Sequence, residues 1–410
     1  MKKTCLAARV FMYFFGFVLL ITSEGFSADT VLFGLNVPLS GIYAKQGEDQ
    51  LKAYKLAIKI LNEKGGVLGR KIVYSVKDTK TKGKVARKNA KELIKEGAIM
   101  ITGGSSSVAA IAQCEECQQA GVVFMAALSH SDATSGSRAH RHCFRWYNNT
   151  HQTAKALTYA LTDAFGKQEK YAYLYSGLTW GQNVEKAMRN VFEGFGCPTV
   201  LSLPTKFGSK NYIPQLLQIQ KAKPDTLVVI QFGIDFINCL KQIDQLKLRK
   251  DMSIVVPLME INMAQPLGPE IMQNIITSMP WYHTLSEKYE GSKRFVEHFE
   301  KVYDKKPGNS AAVAWVNIFQ YADAVERAGS FDHIKVIKAL EGHKFKLLYE
   351  EEYWREWDHQ GVHPIYVAIG KKPSQSNNEW DLFEIIEEYF GETVVRNRNE
   401  NPINLEPLTE

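Results

Sequence analysis

From residue 31 to residue 257, short apolar runs alternate with longer stretches in which apolar residues recur every three or four positions. Short runs of this kind are typical of buried strands, and the three-to-four spacing is typical of amphipathic helices. Strands that alternate with helices predict a parallel sheet covered by helices on both faces. The predicted strands cover residues 31–37, 71–77, 98–102, 122–126, 171–175, 199–203, 226–230 and 253–257.

The alternation occurs in two sets of comparable length, which predicts two lobes of similar construction. Beyond residue 279 the pattern changes to three successive helices, predicted over residues 286–303, 311–328 and 332–340. Strand-like stretches follow at residues 364–369 and 380–385. The last segment, residues 397–410, is polar and contains two prolines, so we expect it to be poorly ordered.

The N-terminus has the three parts of a secretory signal peptide. Lys2, Lys3 and Arg9 precede an apolar run over residues 10–21, and small and polar residues follow up to Ala28. The apolar run is shorter than the roughly 20 residues that a membrane-spanning helix needs. We therefore predict that residues 1–27 are removed and that the remainder is an exported, soluble protein.

Composition narrows the class of protein. The chain has 410 residues, enough for two or three domains, and its 45% hydrophobic and 23% charged residues are ordinary for a globular protein. These values exclude a disordered, collagen-like or disulfide-scaffold chain. The formal net charge of +6 at pH 7 is small and scattered, so it predicts neither a nucleic acid nor an anionic membrane surface as a partner.

Export to an oxidising compartment permits disulfides among the cysteines. Cys114 and Cys117 lie on one face of a predicted helix, and Cys143 follows the next strand. This spacing is compatible with a disulfide from Cys143 to either of them, and with a metal site that adds His140 and His142. Buried free thiols are the default expectation, because no second pair of ligands has a familiar spacing.

Polar and glycine-rich loops follow several predicted strands. In an open parallel sheet, ligands bind beyond the carboxyl ends of the strands. The loop at residues 103–107 reads GGSSS and leads directly into a helix, so free N–H groups and serine hydroxyls could together bind a carboxylate. The alternative is that Ser105 or Ser106 only caps the helix. Two further candidate loops lie at residues 38–43 and 128–132.

Five motifs after the signal peptide carry a resemblance to known proteins. In chain order they read VPLSG, NEKGGVLGRK, GGSSSVAA, CFRWYNN and YLYSGLTWG. Each motif is weak alone, but their order and spacing are specific. Over about residues 30–370, the chain resembles the type I periplasmic solute-binding proteins of ABC importers. The most similar class is the leucine/isoleucine/valine-binding family, which also includes binders of amides, urea and aromatic acids.

The resemblance implies an α/β fold with two Rossmann-like lobes, each a mostly parallel sheet with helices on both faces, joined by a three-strand hinge. It implies a first lobe of residues 28–148 plus 280–357, a second lobe of residues 149–279 plus 358–392, and a polar tail at residues 393–410. It also implies a monomer that is not an enzyme and has no cofactor or metal. Such a protein captures a small molecule in the cleft and delivers it to a membrane permease.

The resemblance also indicates binding residues at the positions that match the family. Ser105 and Ser107, with the N–H groups of the loop that includes Ser106, would hold a ligand carboxylate. The remaining matches are aromatic residues along the cleft, an acid near the family's partner for a ligand ammonium, and an asparagine where some members have a hinge aspartate: Tyr43, Trp180, Phe232, Glu260 and Asn149.

One loop departs from the family's pattern. Amino-acid binders usually have alanine, threonine and asparagine where this chain has Ser129, His130 and Ser131. A threonine that bonds both ends of an amino acid is thus replaced by an imidazole. His130 could donate to a second carboxylate or carbonyl, stack on a ring, or bond only to its neighbours. Together with the aromatic candidates, which include Trp281, this departure makes an aromatic or longer carboxylic acid an alternative to leucine.

Two other functions are compatible with an exported α/β protein. An α/β hydrolase would need a G-x-S-x-G elbow, which the sequence lacks, as it lacks a P-loop, a G-x-G-x-x-G fingerprint and an H-E-x-x-H motif. An exported ligand sensor that docks to a membrane kinase would use the same clamp. We therefore predict a binding component of an importer, with the sensor as the main alternative.

Overall fold

The computed structural model describes residues 29–408, so the predicted signal peptide lies outside the described residues. Within this range, no helix has both the length and the hydropathy that a membrane span requires. Strands and helices are numbered here in chain order. The first part of the chain contains β1 (Thr30–Val37), α1 (Ala44–Glu63), β2 (Lys71–Asp78), α2 (Gly83–Lys95), β3 (Ala98–Gly103), α3 (Ser107–Ala120), β4 (Val123–Ala126) and β5 (Cys143–Arg145).

The middle of the chain repeats the alternation of helix and strand. Its elements are α4 (Thr150–Phe165), β6 (Tyr171–Ser176), α5 (Thr179–Gly194), β7 (Thr199–Thr205), α6 (Ile213–Ala222), β8 (Thr226–Ile230), α7 (Ile234–Gln245), β9 (Ser253–Val256), α8 (Ile261–Ala264), α9 (Gly268–Met272) and β10 (Ile276–Met279).

Three helices and five short strands follow, and a last short helix ends the regular structure. These elements are α10 (Glu290–Tyr303), α11 (Asn309–Ala328), α12 (His333–Leu340), β11 (Lys344–Phe345), β12 (Glu352–Trp354), β13 (Gly361–Val362), β14 (Ile365–Gly370), β15 (Phe383–Tyr389) and α13 (Gly391–Val394). A separate 3-10 helix, His283–Glu287, precedes α10. The single helix expected over residues 286–303 is therefore divided in two.

Two main sheets confirm the predicted two-lobed α/β fold. The first sheet is wholly parallel, in the order β2-β1-β3-β4-β5, and we call the part of the chain built on it the first lobe. The second sheet has the order β15-β14-β10-β9-β8-β6-β7 and supports the second lobe. Strand β14 is antiparallel to both of its neighbours, β10 and β15. Strands β11, β12 and β13 form a small antiparallel sheet.

Side chains that alternate along each strand cover both faces of each sheet. On β1, Phe33 and Leu35 join the large core that includes α1 and α11, while Leu32 joins a smaller cluster with α2 and α3. On β6, Tyr173 packs in the cluster of α4 and α5, and Leu174 packs on the opposite side. Because successive residues point to opposite faces, a strand buried on both faces has the continuous apolar sequence from which these strands were predicted.

The apolar periodicity predicts a helix over residues 50–63, and helix α1 begins six residues earlier. Its first turns carry polar side chains that are nevertheless buried, including Gln46, Asp49 and Gln50. Gln46 donates to the side chain of Asn262, which follows β9 of the second lobe, and Asn262 donates to Asp49. The polar start of α1 is thus part of the contact between the lobes.

The C-terminal tail does not behave as the expected poorly ordered segment. After α13, which packs against α4 of the second lobe, the chain returns to the first lobe. Asn401 is buried and donates to the backbone oxygen of Ser135. Further on, Glu406 accepts hydrogen bonds from the imidazole of His140 and from the backbone N–H of Arg141. These contacts make the tail a strap that runs from one lobe to the other.

The structure decides between the disulfide, the metal site and the free thiols with which the cysteine spacing was compatible. Cys114 on α3 and Cys143 on β5 form a disulfide, and Cys117 is a buried free thiol, as are Cys197 and Cys239. The disulfide uses two of the thiols of the conceivable metal site. Among residues 29–408, no group of three or more histidine, cysteine, aspartate or glutamate side chains is arranged to hold a metal ion.

We expect the disulfide to stabilise the first lobe. It closes a segment with a sequence separation of 29 residues, so replacing Cys114 and Cys143 together by alanine should lower the free energy of unfolding by about 3 kcal/mol. Urea denaturation measures this, with Cys117→Ala on the same helix as the matched control that keeps the disulfide. A linkage between Cys117 and Cys143 in non-reducing peptide mapping would contradict the assignment.

Candidate functional site

A cavity of about 160 Å³ lies between the lobes, and every residue that lines it follows the carboxyl end of a strand. The loops after β1, β2, β3 and β4 supply the first lobe's part of the lining, which consists of Tyr43, Thr81, Gly83, Ser105, Ser106, Ser107, Val108, Leu128 and His130. The loops after β6, β7, β8 and β9 supply the second lobe's part, which consists of Leu178, Trp180, Phe207, Phe232 and Leu258. This arrangement is the one expected for a ligand site of an open α/β sheet.

The three serines after β3 have different hydrogen-bond partners. Ser105 Oγ donates to Oε1 of Gln50 at 2.8 Å, and Ser106 Oγ accepts from the N–H of Ala109 and so caps α3. Ser107 Oγ accepts from the N–H of Ser131 at 3.0 Å, which leaves its own proton free to be donated. The first N–H groups of α3 have no partner within the helix, as at the start of any helix. Residues 103–108, which we call the serine corner, therefore offer several hydrogen-bond donors and the positive end of a helix.

The backbone of this corner is unusually constrained. Gly103 has φ +137, and a Cβ there would lie 2.1 Å from the backbone oxygen of Asn36, so no other residue fits. Ser105 adopts φ +44, a left-handed conformation that residues other than glycine rarely adopt, and its side chain is fully buried. Strained backbone of this kind is concentrated at ligand sites, where the surrounding structure holds it in place.

His130 links the two lobes through both nitrogens of its ring. The indole N–H of Trp180 donates to Nδ1 of His130 at 3.0 Å. Because an indole can only donate, Nδ1 must be the unprotonated nitrogen, and Nε2 then donates to Thr153 Oγ1 at 2.8 Å. Burial, with a smaller contribution from the charge of Arg145, lowers the pKa of His130 to about 3. Hydrogen bonding to its neighbours, one of the three roles expected for His130, is present in the structure.

Aromatic rings make up much of the wall of the cavity. The ring of Tyr43 packs edge-on against Phe232, with a centroid distance of 5.2 Å, and against Phe207 at 6.2 Å. Trp180 packs against the other side of Phe232 at 5.9 Å. Edge-to-face contacts of this kind are favourable beyond the area that they bury. Trp281, the remaining aromatic candidate, lies outside this lining and donates to Ser292 of α10.

Seven of the ten predicted site residues line the cavity, and the other three have structural partners elsewhere. Ser129 Oγ is hydrogen-bonded to Thr134. Asn149 is the N-cap of α4, where it forms a capping box with Gln152. Neither residue is part of the lining, although Ser129 stands between the lining residues Leu128 and His130 in the sequence.

Glu260 also lies outside the lining of the cavity. Its carboxyl group is fully buried and accepts hydrogen bonds from the hydroxyl of Tyr147 at 3.3 Å and from the N–H of Ser310 at 3.1 Å. Burial raises the pKa of Glu260 to about 8. The side chain is therefore mostly protonated at neutral pH and connects the second lobe to the start of α11, which differs from the expected ionised partner of a ligand ammonium.

Arg145 is a positioning residue that the sequence analysis did not identify. It lies on β5, is buried, and donates to the backbone oxygens of Ser129 and Ser131. Its Nε also donates to Gln360, which precedes β13, at 2.9 Å. Burial lowers the pKa of Arg145 to about 9. The guanidinium group thus holds the loop that carries His130 against the connection between the lobes.

Several lining residues were missed, although one rule identifies all of them. Thr81, Leu178, Phe207 and Leu258 stand in loops that follow predicted strands. The loops singled out from the sequence, at residues 38–43, 103–107 and 128–132, are the polar loops of the first lobe. Since the carboxyl ends of all parallel strands point to the same edge, the apolar loops of the second lobe could have been included on the same ground.

The serines of the corner do not form the arrangement of a hydrolase. A nucleophilic serine needs a base within hydrogen-bond distance. Ser105, Ser106 and Ser107 are bonded to Gln50, Ala109 and Ser131, and the ring of His130 is bonded to Trp180 and Thr153. The geometry is suited to binding a group, and the resemblance to a nucleophile elbow is limited to the strand–loop–helix order.

The raised pKa of Glu260 predicts a specific dependence of stability on pH. The folded protein holds a proton that the unfolded chain releases above its ordinary pKa of 4.5, so the free energy of unfolding falls as pH rises from about 5 to about 8. Glu260→Gln removes this titration, and its stability relative to wild type should therefore improve across that range. Urea unfolding at several pH values tests this, with Glu384→Gln at an exposed position as the control; parallel curves for Glu260→Gln and wild type would contradict it.

Comparisons with known proteins agree with this fold. The sequence model described as periplasmic binding protein matches residues 30–375. The Leu/Ile/Val-binding protein homolog 4 of Brucella melitensis is 23% identical over 363 residues, which cover 85% of this chain and 86% of that protein. A periplasmic binding protein from Burkholderia mallei is similar with a TM-score of 0.85 at 25% identity, covering 92% of this chain and 98% of that one.

A solute-binding protein of an ABC transporter from Rhodopseudomonas palustris, solved in complex with 3,4-dihydroxy benzoic acid, is also similar in fold. Its TM-score is 0.80 at 21% identity, and the match covers 88% of this chain and 98% of that one. The match to the family covers most of the chain, and the resemblance to the leucine/isoleucine/valine-binding class is confirmed. This chain therefore belongs to the periplasmic binding proteins, a family of solute-binding proteins and not a class of enzymes.

Proposed function

We propose that this protein is the substrate-binding component of an ABC importer, which captures a small carboxylate-bearing solute and delivers it to a membrane permease. The observation that carries the proposal is the cavity between the lobes, where a helix start and a serine loop face an apolar wall. Clefts that combine an apolar lining with a few convergent polar groups are the usual form of a small-molecule site.

The serine corner supplies the donors for the carboxylate. The N–H groups of Ser107 and Val108 are the first two of α3, and the hydroxyl of Ser107 has a free proton. Behind them, the side-chain nitrogen of Gln50 is buried and has no hydrogen-bond partner within residues 29–408. Hydrogen bonds to a charged acceptor are roughly twice as strong as neutral ones, and the helix end favours a negative group.

Closure of the lobes completes the site. The lining comes from both lobes, so a solute bound to the first lobe alone would be half exposed to water. When the second lobe closes, its apolar wall removes the solute from water and strengthens the electrostatic interactions at the serine corner. Closure of two domains around a ligand is a known mode of conformational change.

The names of similar proteins support a carboxylate as the common feature of the solute. The Brucella melitensis relative is named for leucine, isoleucine and valine, and the Rhodopseudomonas palustris protein was solved with a dihydroxybenzoic acid. Amino acids and benzoic acids share a carboxylate and differ in the remainder of the molecule. The proposal therefore covers branched-chain amino acids and aromatic acids.

Export, cellular location and oligomeric state are part of the same proposal. Removal of residues 1–27 as a signal peptide delivers the chain to the periplasm, where it acts as a monomer, without cofactor, nucleic acid or catalysis of its own. We also propose the lobe boundaries given above, with residues 28–148 plus 280–357 moving against residues 149–279 plus 358–392. The permease recognises the closed, loaded form.

A ligand screen tests the proposed function. Mature protein is heated with amino acids, aromatic acids, amides and ureas, because a bound ligand raises the melting temperature by mass action. We expect a carboxylate from one of the first two classes to raise it. Stabilisation by uncharged amides or ureas alone would contradict the proposal.

Replacement of Ser105 and Ser107 together by alanine tests where the carboxylate binds. The pair loses one donor to the solute and the hydrogen bonds that hold the corner, so we expect at least tenfold weaker binding of the acid found in the screen, measured by calorimetry, with the circular dichroism spectrum unchanged. Ser209→Ala with Ser374→Ala, two serines outside the cavity, is the matched control. Equal affinity of the two double variants would contradict the assignment of the corner.

A further inference from the structure

We propose that the solute has a single polar end: a carboxylic acid with an apolar body of about the size of one ring and no ammonium group. The inference rests on the proposed function, since it concerns the solute of the same cavity. It selects, from the carboxylates that the proposed function covers, those that are not amino acids.

The first observation is the character of the wall on the second lobe. The second lobe lines the cavity with two aliphatic side chains, Leu178 and Leu258, and with three aromatic rings, those of Trp180, Phe207 and Phe232. The one polar hydrogen among these side chains is the indole N–H of Trp180, and it is already donated to the first lobe's histidine. Hydrocarbon side chains and an indole, which can only donate, offer no lone pair, so the second lobe's part of the lining presents no side-chain acceptor for an ammonium group.

The polar groups of the first lobe do not replace such an acceptor. Both ring nitrogens of His130 are bonded to protein groups, and burial keeps the imidazole neutral. The remaining polar side chains of the lining are the hydroxyls of Tyr43, Thr81 and the serine corner. None of the lining residues is charged, whereas a buried ammonium group needs a carboxylate or a full set of acceptors to offset its loss of hydration.

Two buried acids of the second lobe, Glu260 at the start of α8 and Asp235 in α7, lie outside the lining of the cavity. Glu260 is fully buried, accepts bonds from Tyr147 and Ser310, and is mostly protonated at neutral pH. Asp235 is buried, and burial raises its pKa. Its Oδ2 accepts from the N–H of Gly208 at 2.8 Å, and its Oδ1 has no hydrogen-bond partner within residues 29–408. Neither side chain lines the cavity, so neither is placed to pair with a ligand ammonium.

The size of the cavity sets the size of the apolar body. Its volume of about 160 Å³ is close to the roughly 150 Å³ of an engineered apolar cavity that binds one benzene molecule. Such a space holds one ring, or a branched chain of similar bulk, beside the carboxylate. The aromatic wall favours a ring, since edge-to-face and offset contacts add to the burial of apolar area.

Pairs of acids that differ only in the amino group test the inference on the mature wild-type protein. The pairs are leucine with 4-methylpentanoate, phenylglycine with phenylacetate, and phenylalanine with 3-phenylpropanoate. We expect the acid without the amino group to bind at least tenfold more tightly in each pair that binds, measured by calorimetry at pH 7. Equal or tighter binding of the amino acids overturns the inference and leaves the proposed function standing, whereas a failure of every carboxylate to bind overturns both.

A carboxylate placed in the lining of the cavity tests whether the preference for acids without an amino group arises there. Leu178 is the N-cap residue of α5 and makes no side-chain cap, so aspartate is favoured there and the variant is expected to fold. We expect Leu178→Asp to raise the affinity for leucine relative to 4-methylpentanoate at least threefold. Leu217→Asp, at an exposed leucine on α6, is the matched control and should leave the ratio unchanged. An unchanged ratio in folded Leu178→Asp overturns the inference.

Discussion

The site depends on one hydrogen bond that joins the two lobes, from the indole of Trp180 to the imidazole of His130. An indole only donates, so the bond requires a neutral imidazole with Nδ1 unprotonated. Burial meets that requirement by holding the pKa of His130 far below neutrality. The same bond uses the polar hydrogen of the second lobe's wall and one nitrogen of the first lobe's loop. This single pairing therefore contributes both to the contact between the lobes and to the apolar character of the cavity.

Two general rules account for most of the fold and for the location of the site. Strands buried on both faces have continuous apolar runs, and the helices between them have the three-to-four spacing, so the alternation was readable in both lobes. The carboxyl ends of parallel strands share one edge, so the loops at 103–107 and 128–132 were predicted to face a ligand. Tyr43, Trp180 and Phe232 came from the resemblance to the family, because an aromatic residue in a loop has no periodic pattern of its own.

The features that could not be predicted are contacts between residues far apart in the chain. The first turns of α1 were missed because Gln46 is buried by a bond to Asn262, 216 residues away. Gln50, the partner of Ser105, is 55 residues away, and Tyr147, a partner of Glu260, is 113 residues away. Such partners decide whether a hydroxyl faces a ligand or the protein, and whether a carboxyl group is ionised. Neither composition nor local spacing contains that information.

The returning C-terminal tail determines which lobe carries the two ends of the described chain. Strand β1 begins in the first sheet, and the other end of the described chain is bonded through Glu406 to His140 and Arg141 of the same lobe. Both ends of the described chain thus belong to the first lobe, although the tail leaves from the second lobe at α13. A tether, surface anchor or fluorescent label fused at either end would travel with the first lobe. Under the proposed closure the second lobe moves relative to both ends, so reporting that motion would require an internal attachment point.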